Sequence, residues 1–148
     1  MTLKRRIATA VIGTGFLWLG LYAVAQGNET FKARLSPLPA SAKNRPDMAG
    51  GGTITAVLSG TKVTINGSFE GLLTPATKAT LNMAVSPMAG VRGPAIHDLT
   101  IPKAASGSIT GSFDLTPPQV ESLKKGGLYV QIHNEKLPDG VLWGWFLH

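Results

Sequence analysis

The chain contains no cysteine and little charge, and both absences exclude whole classes of protein. Because none of its 148 residues is cysteine, disulfide frameworks, thiolate metal sites and cysteine-linked lipid anchors are all excluded. Charged residues make up 15% of the sequence, and the apolar residues occur in short runs among Gly, Thr, Ser, Val and Pro. This pattern favours short strands and turns over amphipathic helices. The length suits one compact domain behind an N-terminal segment.

The formal net charge of +6 does not indicate a nucleic-acid partner. Three of the fourteen basic residues, those at positions 4–6, precede a hydrophobic segment, and the remaining eleven accompany eight acidic residues. Those eleven are scattered singly, apart from Lys124 and Lys125, and they form no basic stripe with interleaved aromatics. We therefore expect no binding of nucleic acid.

Residues 7–25 carry no charge, and as a helix they would span about 28 Å, close to the thickness of a bilayer core. The basic residues before them keep the N-terminus in the cytoplasm and place everything after residue 26 outside. We expect residues 1–26 to be a retained membrane anchor. The alternative is a signal peptide cleaved after Ala25, because Ala23 and Ala25 match the small-residue pattern of cleavage sites. The residues expected to contact lipid are Phe16, Leu17, Trp18 and Leu19.

Residues 27–148 consist of short alternating runs separated by turns, which is typical of an all-β domain. Residues 53–58 and 62–69 lie on either side of Ser-Gly-Thr and predict a hairpin. Residues 36–52 are rich in Pro and Gly, so we expect a long loop without any regular element. The other predicted strands are residues 30–35, 79–85, 95–101, 108–115, 128–133 and 140–147. Seven or eight antiparallel strands at this spacing predict a Greek-key β-sandwich or barrel.

One short helix is predicted in this domain, at residues 117–125. Thr116 is a good N-cap, Pro117 suits the first helical position, and Gly126 is a good stop. The helix separates the sixth predicted strand from the two closing strands.

Five short motifs along residues 31–148 resemble those of a known family. They are Phe31-x-Ala33-x-Leu35, Gly90-Val-Arg-Gly-Pro94, Leu115-Thr116, Gly127-Leu-Tyr-Val-Gln-Ile-His133, and Pro138-x-Gly140 followed by Gly144. In this order they resemble the CHRD domain, a module named after chordin and found also in bacterial exported proteins. The resemblance implies a β-sandwich with a non-catalytic role in binding or assembly.

Domains of that family usually carry a His-x-His pair on the strand before the Gly-Val-Arg-Gly-Pro loop. Together with the histidine that ends the Gly127-Leu-Tyr-Val-Gln-Ile-His133 motif, the pair is similar to the copper-binding strands of copper-zinc superoxide dismutases. The matching residues here are Thr80 and Asn82, and only His133 remains. Since neither a hydroxyl nor an amide replaces imidazole as a ligand for copper or zinc, we expect no metal and no cofactor. We interpret His133 as hydrogen-bonded at a strand end, and His97 and His148 as structural or surface groups.

The closing strand departs from the family pattern in a second way. Where the family commonly has Glu, Arg and Gln at alternate outward positions, this chain has Val141, Trp143 and Trp145. Alternation places these three on one face, and the residues between them are apolar too, so the strand needs a cover on both faces. The loop at residues 36–52 is one candidate cover. The other is a partner protein or the membrane interface, for which Val141, Trp143 and Trp145 are the predicted binding residues.

These observations lead to one functional hypothesis and two alternatives. We expect a non-catalytic accessory subunit that is held in the cytoplasmic membrane by a single N-terminal helix. Its periplasmic or extracellular domain is expected to dock on a larger membrane protein complex, such as an electron-transfer assembly. The first alternative is a cleaved, secreted module that binds an extracellular protein or polysaccharide. The second is a copper- or zinc-binding domain that has lost most of its ligands. No arrangement of residues indicates a catalytic site, so we do not expect an enzyme.

Overall fold

The computed structural model describes residues 28–85 and 91–148 of the chain. Within these ranges the chain forms eight strands, one α-helix and one 3-10 turn. The elements are β1 (Glu29–Pro37), the 3-10 turn (Arg45–Asp47), β2 (Gly51–Ser59), β3 (Lys62–Glu70), β4 (Ala76–Met83), β5 (Ala95–Leu99), β6 (Gly107–Asp114), α1 (Pro117–Lys124), β7 (Leu128–Asn134) and β8 (Leu142–Trp145).

The strands form a nearly closed barrel in which every neighbouring pair is antiparallel. Their order is β5-β4-β7-β8-β1-β2-β3-β6, so β3 neighbours β6 and β4 neighbours β7, and the barrel is not a simple meander. β5 and β6, the first and last strands in this order, meet at one backbone pair. There Thr100, directly after β5, and Thr110 of β6 exchange N–H···O bonds of 2.8 and 3.1 Å. Beside that pair, the ring of His97 stacks on Phe113 with 4.3 Å between centroids. The prediction of an all-β sandwich or barrel is confirmed, and the architecture is the barrel.

The core lies inside the barrel because the strands alternate apolar and polar residues. In β1, Phe31, Ala33 and Leu35 are buried, and the residues between them are exposed. The same period of two appears in β2 and β3, as expected for strands with one buried face. Each fully buried Leu, Ile or Phe side chain contributes about 1.5–3 kcal/mol through burial. The largest fully buried side chains are Tyr129, Phe31, Phe146, Leu35, Ile54, Ile65, Leu81, Ile109, Leu123, Leu128, Ile132 and Leu142.

The predicted hairpin and helix both occur close to their expected bounds. β2 and β3 pair along their length, from Gly51 opposite Glu70 to Ser59 opposite Lys62. At the start of α1, the backbone N–H of Thr116 donates to Oε1 of Gln119 at 3.0 Å, which forms one half of a capping box.

The expectation that residues 36–52 contain no regular element is wrong at both ends and in the middle. β1 continues to Pro37, and β2 begins at Gly51. Backbone pairing with Glu70 extends the hairpin over the glycines, so tertiary pairing overrides the weak strand preference of Gly. Arg45–Asp47 forms the 3-10 turn, with Pro near its start. The loop proper is thus residues 38–50.

The predicted membrane anchor, residues 1–26 with Phe16, Leu17, Trp18 and Leu19, lies outside the described residues. Within the two described ranges, no helix has the length and apolarity needed to cross a bilayer. The loop that carries the Gly90-Val-Arg-Gly-Pro94 motif is described only from residue 91 onward, where the chain is irregular until β5.

Candidate functional site

Two tryptophans lie side by side on the outer face of β8 and pack against a tyrosine of β7. The antiparallel register places Tyr129 opposite Trp145 and Gln131 opposite Trp143. The ring of Trp145 stacks on Tyr129 with centroids 4.2 Å apart at 26°, and the two indoles meet edge to face at 5.6 Å and 74°. Offset-stacked and edge-to-face pairs are favourable geometries for aromatic rings. The three rings therefore form one ordered aromatic cluster.

The backbone under the tryptophans is held close to β1 by Gly144. A Cβ atom at this position would lie 3.0 Å from the carbonyl oxygen of Arg34 and 3.1 Å from Cδ2 of Leu35. A side chain here would require β1 to shift by a few tenths of an ångström, so glycine favours the close approach of β8 to β1. Trp143 and Trp145, which flank the glycine, thus lie on a strand packed closely against β1.

The outer face of β8 stays partly open to solvent. Trp143 and Trp145 are partly exposed, and Leu147, two residues further on, is 54% exposed. The carbonyl oxygen of Leu147 accepts from the N–H of Lys32 at 2.8 Å, which continues the pairing of β8 with β1. We call Trp143, Trp145 and Leu147 the aromatic strip. Sequence reasoning identified its two indoles but not Leu147 or the supporting Tyr129.

Val141 does not belong to this surface, which corrects the sequence prediction. It precedes β8, is fully buried, and its N–H donates to the carbonyl oxygen of Ile132 at 2.8 Å. Its own carbonyl oxygen accepts from the N–H of Leu38 at 3.1 Å. Strict alternation fails here because the chain is still bending into the strand at Val141. Its side chain is therefore not accessible to a partner.

A second cluster of polar groups lies on the outer face of β4 and β7. The strands bring Thr80, Asn82 and His133 together, as the family resemblance implies for these positions. The Thr80 hydroxyl donates to Oδ1 of Asn82 at 2.7 Å, and its Oγ1 lies 3.3 Å from Nε2 of His133. Thr80 and Asn82 are buried, and His133 is half-buried. We call these three residues the polar cluster.

The segment at residues 91–94 closes over this cluster. Nδ2 of Asn82 donates to the carbonyl oxygen of Gly93 at 3.1 Å. The hydroxyl of Tyr129 also donates to that oxygen, at 3.0 Å, and accepts from the N–H of Gly93 at 2.9 Å. Since Tyr129 also stacks on Trp145, one side chain joins the segment to the aromatic strip. In the sequence, the only signal for Tyr129 is its place in the motif of residues 127–133.

The turn after β7 binds back onto the same face. Nε2 of Gln131 donates to the carbonyl oxygen of Asp139, and Nη2 of Arg92 donates to that oxygen at 2.7 Å. Gly140 has a φ of +122°, and a Cβ atom there would overlap the amide of Gln131. The positive φ favours glycine at this position. A cleft of about 320 Å³, lined by Arg92, Lys136 and Asp139 among others, separates the turn from the loop at residues 38–50.

His133 is a hydrogen-bonded strand-end histidine whose pKa is lowered. Its Nδ1 lies 2.8 Å from the carbonyl oxygen of Pro138, so Nδ1 carries the proton in the neutral ring, and Nε2 lies 3.3 Å from Oγ1 of Thr80, whose own proton is donated to Asn82. Burial lowers the pKa most, and the nearby charges of Lys78 and Arg92 lower it further. The bond to Pro138 and the charge of Asp139 act in the opposite direction. Neutral imidazole is thus the form that this environment favours.

The polar cluster offers one imidazole, one hydroxyl and one amide, a poor set of ligands for copper or zinc. Across residues 28–85 and 91–148, no three His, Cys, Asp or Glu side chains are grouped so that they could hold a metal ion. His97 packs on Phe113, and Nε2 of the exposed His148 lies 3.8 Å from a carboxylate oxygen of Glu29. The three histidines of the described residues therefore occupy three separate environments.

A family model described as the CHRD domain matches residues 31–144. The match begins in β1 and ends in β8, and it includes the aromatic cluster except Trp145 and all of the polar cluster. No curated protein and no solved structure shows significant similarity to the chain.

Proposed function

Because this chain belongs to the CHRD-domain family, we propose that it is a non-catalytic accessory subunit of a larger membrane protein complex. Residues 1–26 anchor it in the cytoplasmic membrane, and it docks on the complex through the aromatic strip. The domain of residues 27–148 then lies in the periplasm or outside the cell. Its role is to bind and assemble, not to catalyse a reaction.

The observation that carries this proposal is the pair of partly exposed tryptophans on a strand packed closely against β1. Trp and Tyr are enriched in protein interfaces because they bury a large area and lose little conformational entropy on binding. Here the rings are already ordered by Tyr129 and by the close approach at Gly144. Such preorganisation lowers the entropic cost of association. A continuous aromatic and aliphatic strip is also costly to leave in water.

The position of the strip agrees with an anchor at the start of the domain. Only residues 27 and 28 separate the proposed anchor from Glu29, so a fully extended connection from the end of the anchor to β1 is at most about 11 Å long. Leu147 pairs with Lys32 near the start of β1, whereas Trp143 pairs with Ser36 near its end. The aromatic strip thus begins near the membrane-proximal end of the barrel and extends away from it.

One observation supports the alternative of a former copper or zinc domain. Thr80, Asn82 and His133 converge on the outer face of the barrel, with 3.3 Å between Thr80 Oγ1 and His133 Nε2. Three imidazoles at these positions would be close enough to share one metal ion. In this chain only one of the three is an imidazole, so the proposal keeps binding as the function.

The proposal is tested by isolating the full-length chain from its native membranes in mild detergent and identifying its N-terminus and its companions by mass spectrometry. We expect the uncleaved leader and stoichiometric membrane-protein companions. Trp143→Ser/Trp145→Ser and Leu147→Glu should both lose the companions. The matched control is Leu73→Ser, which alters a 65% exposed leucine outside the strip and should keep them.

Leu147→Glu guards against misfolding, since a side chain with this exposure contributes little to the core. A soluble chain that starts at Gln26 and is isolated alone would overturn the proposal in favour of the secreted binding module. Retention of all companions by both strip variants would overturn the role of the strip.

A further inference from the structure

Two cations lie directly beside the aromatic strip on the outer face of β1. Lys32 and Leu147 exchange backbone hydrogen bonds of 2.8 and 2.9 Å, and Ser36 pairs with Trp143. The same register places Arg34 opposite Trp145. Directly opposed residues of antiparallel strands have Cβ atoms about 4.5–5.5 Å apart. Since Lys32 and Arg34 are both exposed, each cation borders the strip.

Neither cation is neutralised within the described parts of the chain, 28–85 and 91–148. The ion pairs there involve Lys124, Lys125, Lys136 and His148, and none involves Lys32 or Arg34. Glu29, the acidic residue at the start of β1, lies 3.4 Å from Lys124 and 3.8 Å from His148. The aromatic strip is thus bordered along β1 by two cations that form no ion pair with the described residues.

We propose that the surface which the aromatic strip contacts is a protein surface, apolar at its centre and bordered by Asp or Glu side chains that face Lys32 and Arg34. This inference rests on the proposed docking function and specifies the chemistry of the partner. Trp143, Trp145 and Leu147 supply the apolar contact, and the two cations set its orientation. Charges at the border of an interface mainly raise the association rate and exclude wrong partners.

The direction of the strip favours a protein over the headgroups of anionic lipids. From Trp143 to Leu147 it spans about 14 Å along the strand direction. It occupies the side of the barrel and extends away from the end where β1 begins. A side surface of this kind faces a neighbour that protrudes from the membrane, whereas lipid binding would use the end of the barrel.

Zero-length carbodiimide coupling in native membranes tests the inference, because it joins a lysine amine only to a carboxylate in direct contact. We expect Lys32 of the full-length chain to be coupled to an Asp or Glu of another membrane protein. Raising the salt to about 1 M should abolish the coupling, since the Debye length then falls to about 3 Å. Lys103, an exposed lysine on the loop between β5 and β6, serves as the control amine and should not couple.

Charge reversal provides the second measurement. Lys32→Glu/Arg34→Glu should reduce recovery of the companion protein by about tenfold at low salt, with a smaller effect at high salt. The control Lys43→Glu/Lys103→Glu makes the same change in net charge at two exposed lysines outside β1 and β8 and should leave recovery unchanged.

The outcomes separate this inference from the docking function. If the strip variants lose the companion but the Lys32/Arg34 reversal keeps it and Lys32 does not couple, the acidic partner is refuted and docking stands. Binding of the purified chain to phosphatidylglycerol vesicles, lost on the same reversal and without any protein coupling, would assign the cations to lipid and refute the inference. If no variant has companions to lose, docking itself fails.

Discussion

Tyr129→Phe tests how the segment at residues 91–94 is held against the barrel. The hydroxyl of Tyr129 accepts from the N–H of Gly93 at 2.9 Å and donates to the carbonyl oxygen of the same residue at 3.0 Å. The substitution removes both bonds and keeps the ring, so the stacking on Trp145 at 4.2 Å remains. The change therefore isolates the hydroxyl from the aromatic cluster.

The size of the effect follows from what Gly93 retains. Its carbonyl oxygen still accepts from Nδ2 of Asn82, but its N–H is left without the acceptor it has here. A net hydrogen bond contributes about 1 kcal/mol, and a buried donor without a partner costs about 1–3 kcal/mol. Because Gly93 is only partly buried, we expect the free energy of unfolding to fall by about 2 kcal/mol.

Urea unfolding at constant pH measures this loss, and hydrogen exchange locates it. The amide of Gly93 should exchange faster in Tyr129→Phe, while recovery of the companion protein stays at the wild-type level. The matched control Thr64→Val removes an exposed hydroxyl of β3 and should change the free energy of unfolding by less than about 0.5 kcal/mol. A Tyr129→Phe protein as stable as the control, with unchanged exchange at Gly93, would refute the proposed role of the hydroxyl.

Two further predictions concern the polar cluster. Burial lowers the pKa of His133 in the folded chain below its ordinary value. Between about pH 6.5 and the folded pKa, the unfolded chain therefore binds more protons than the folded chain. The free energy of unfolding thus falls as the pH is lowered through this window. Urea titrations at pH 7.5 and pH 5 should show this loss for the wild type and for His148→Gln but a smaller one for His133→Gln; equal losses in all three would contradict it. Thr80→His/Asn82→His should create a three-imidazole site with His133, so that stoichiometric zinc raises the melting temperature of the double variant and not that of the wild type or of His133→Ala in the same background. Calorimetry without zinc binding in the double variant would show that the three positions do not converge as described.

Much of the fold could be predicted from the sequence because its signals are local. Alternating residues such as Phe31, Ala33 and Leu35 identify a strand with one buried face, and the cap and stop around residues 117–125 identify the helix. The resemblance to the CHRD family is confirmed by the match over residues 31–144. The predictions failed where pairing partners decide the structure, as at Gly51 in β2, which is a strand residue only because β3 continues opposite it.

The candidate site was less predictable from the sequence. Alternation placed Val141 beside Trp143 and Trp145, but the bend before β8 buries it. Leu147 continues the alternation of Trp143 and Trp145 within the predicted strand, but the cations of β1 lie outside any sequence pattern of β8, because their place beside the strip depends on the pairing of two strands far apart in the chain. The anchor, the partner and the absence of catalysis stay predictions.

By itself, the sequence determined the class of the protein: an all-β domain without disulfides, in the CHRD family. Composition, period-two alternation and motif residues carry this information, and each is read from neighbouring positions in the chain. Only the tertiary structure decided which outer residues share a surface. The barrel brings Lys32 beside Leu147 and Thr80 beside His133, and the register of such contacts is set by hydrogen bonding between strands, where a shift of one residue would turn every side chain to the opposite face.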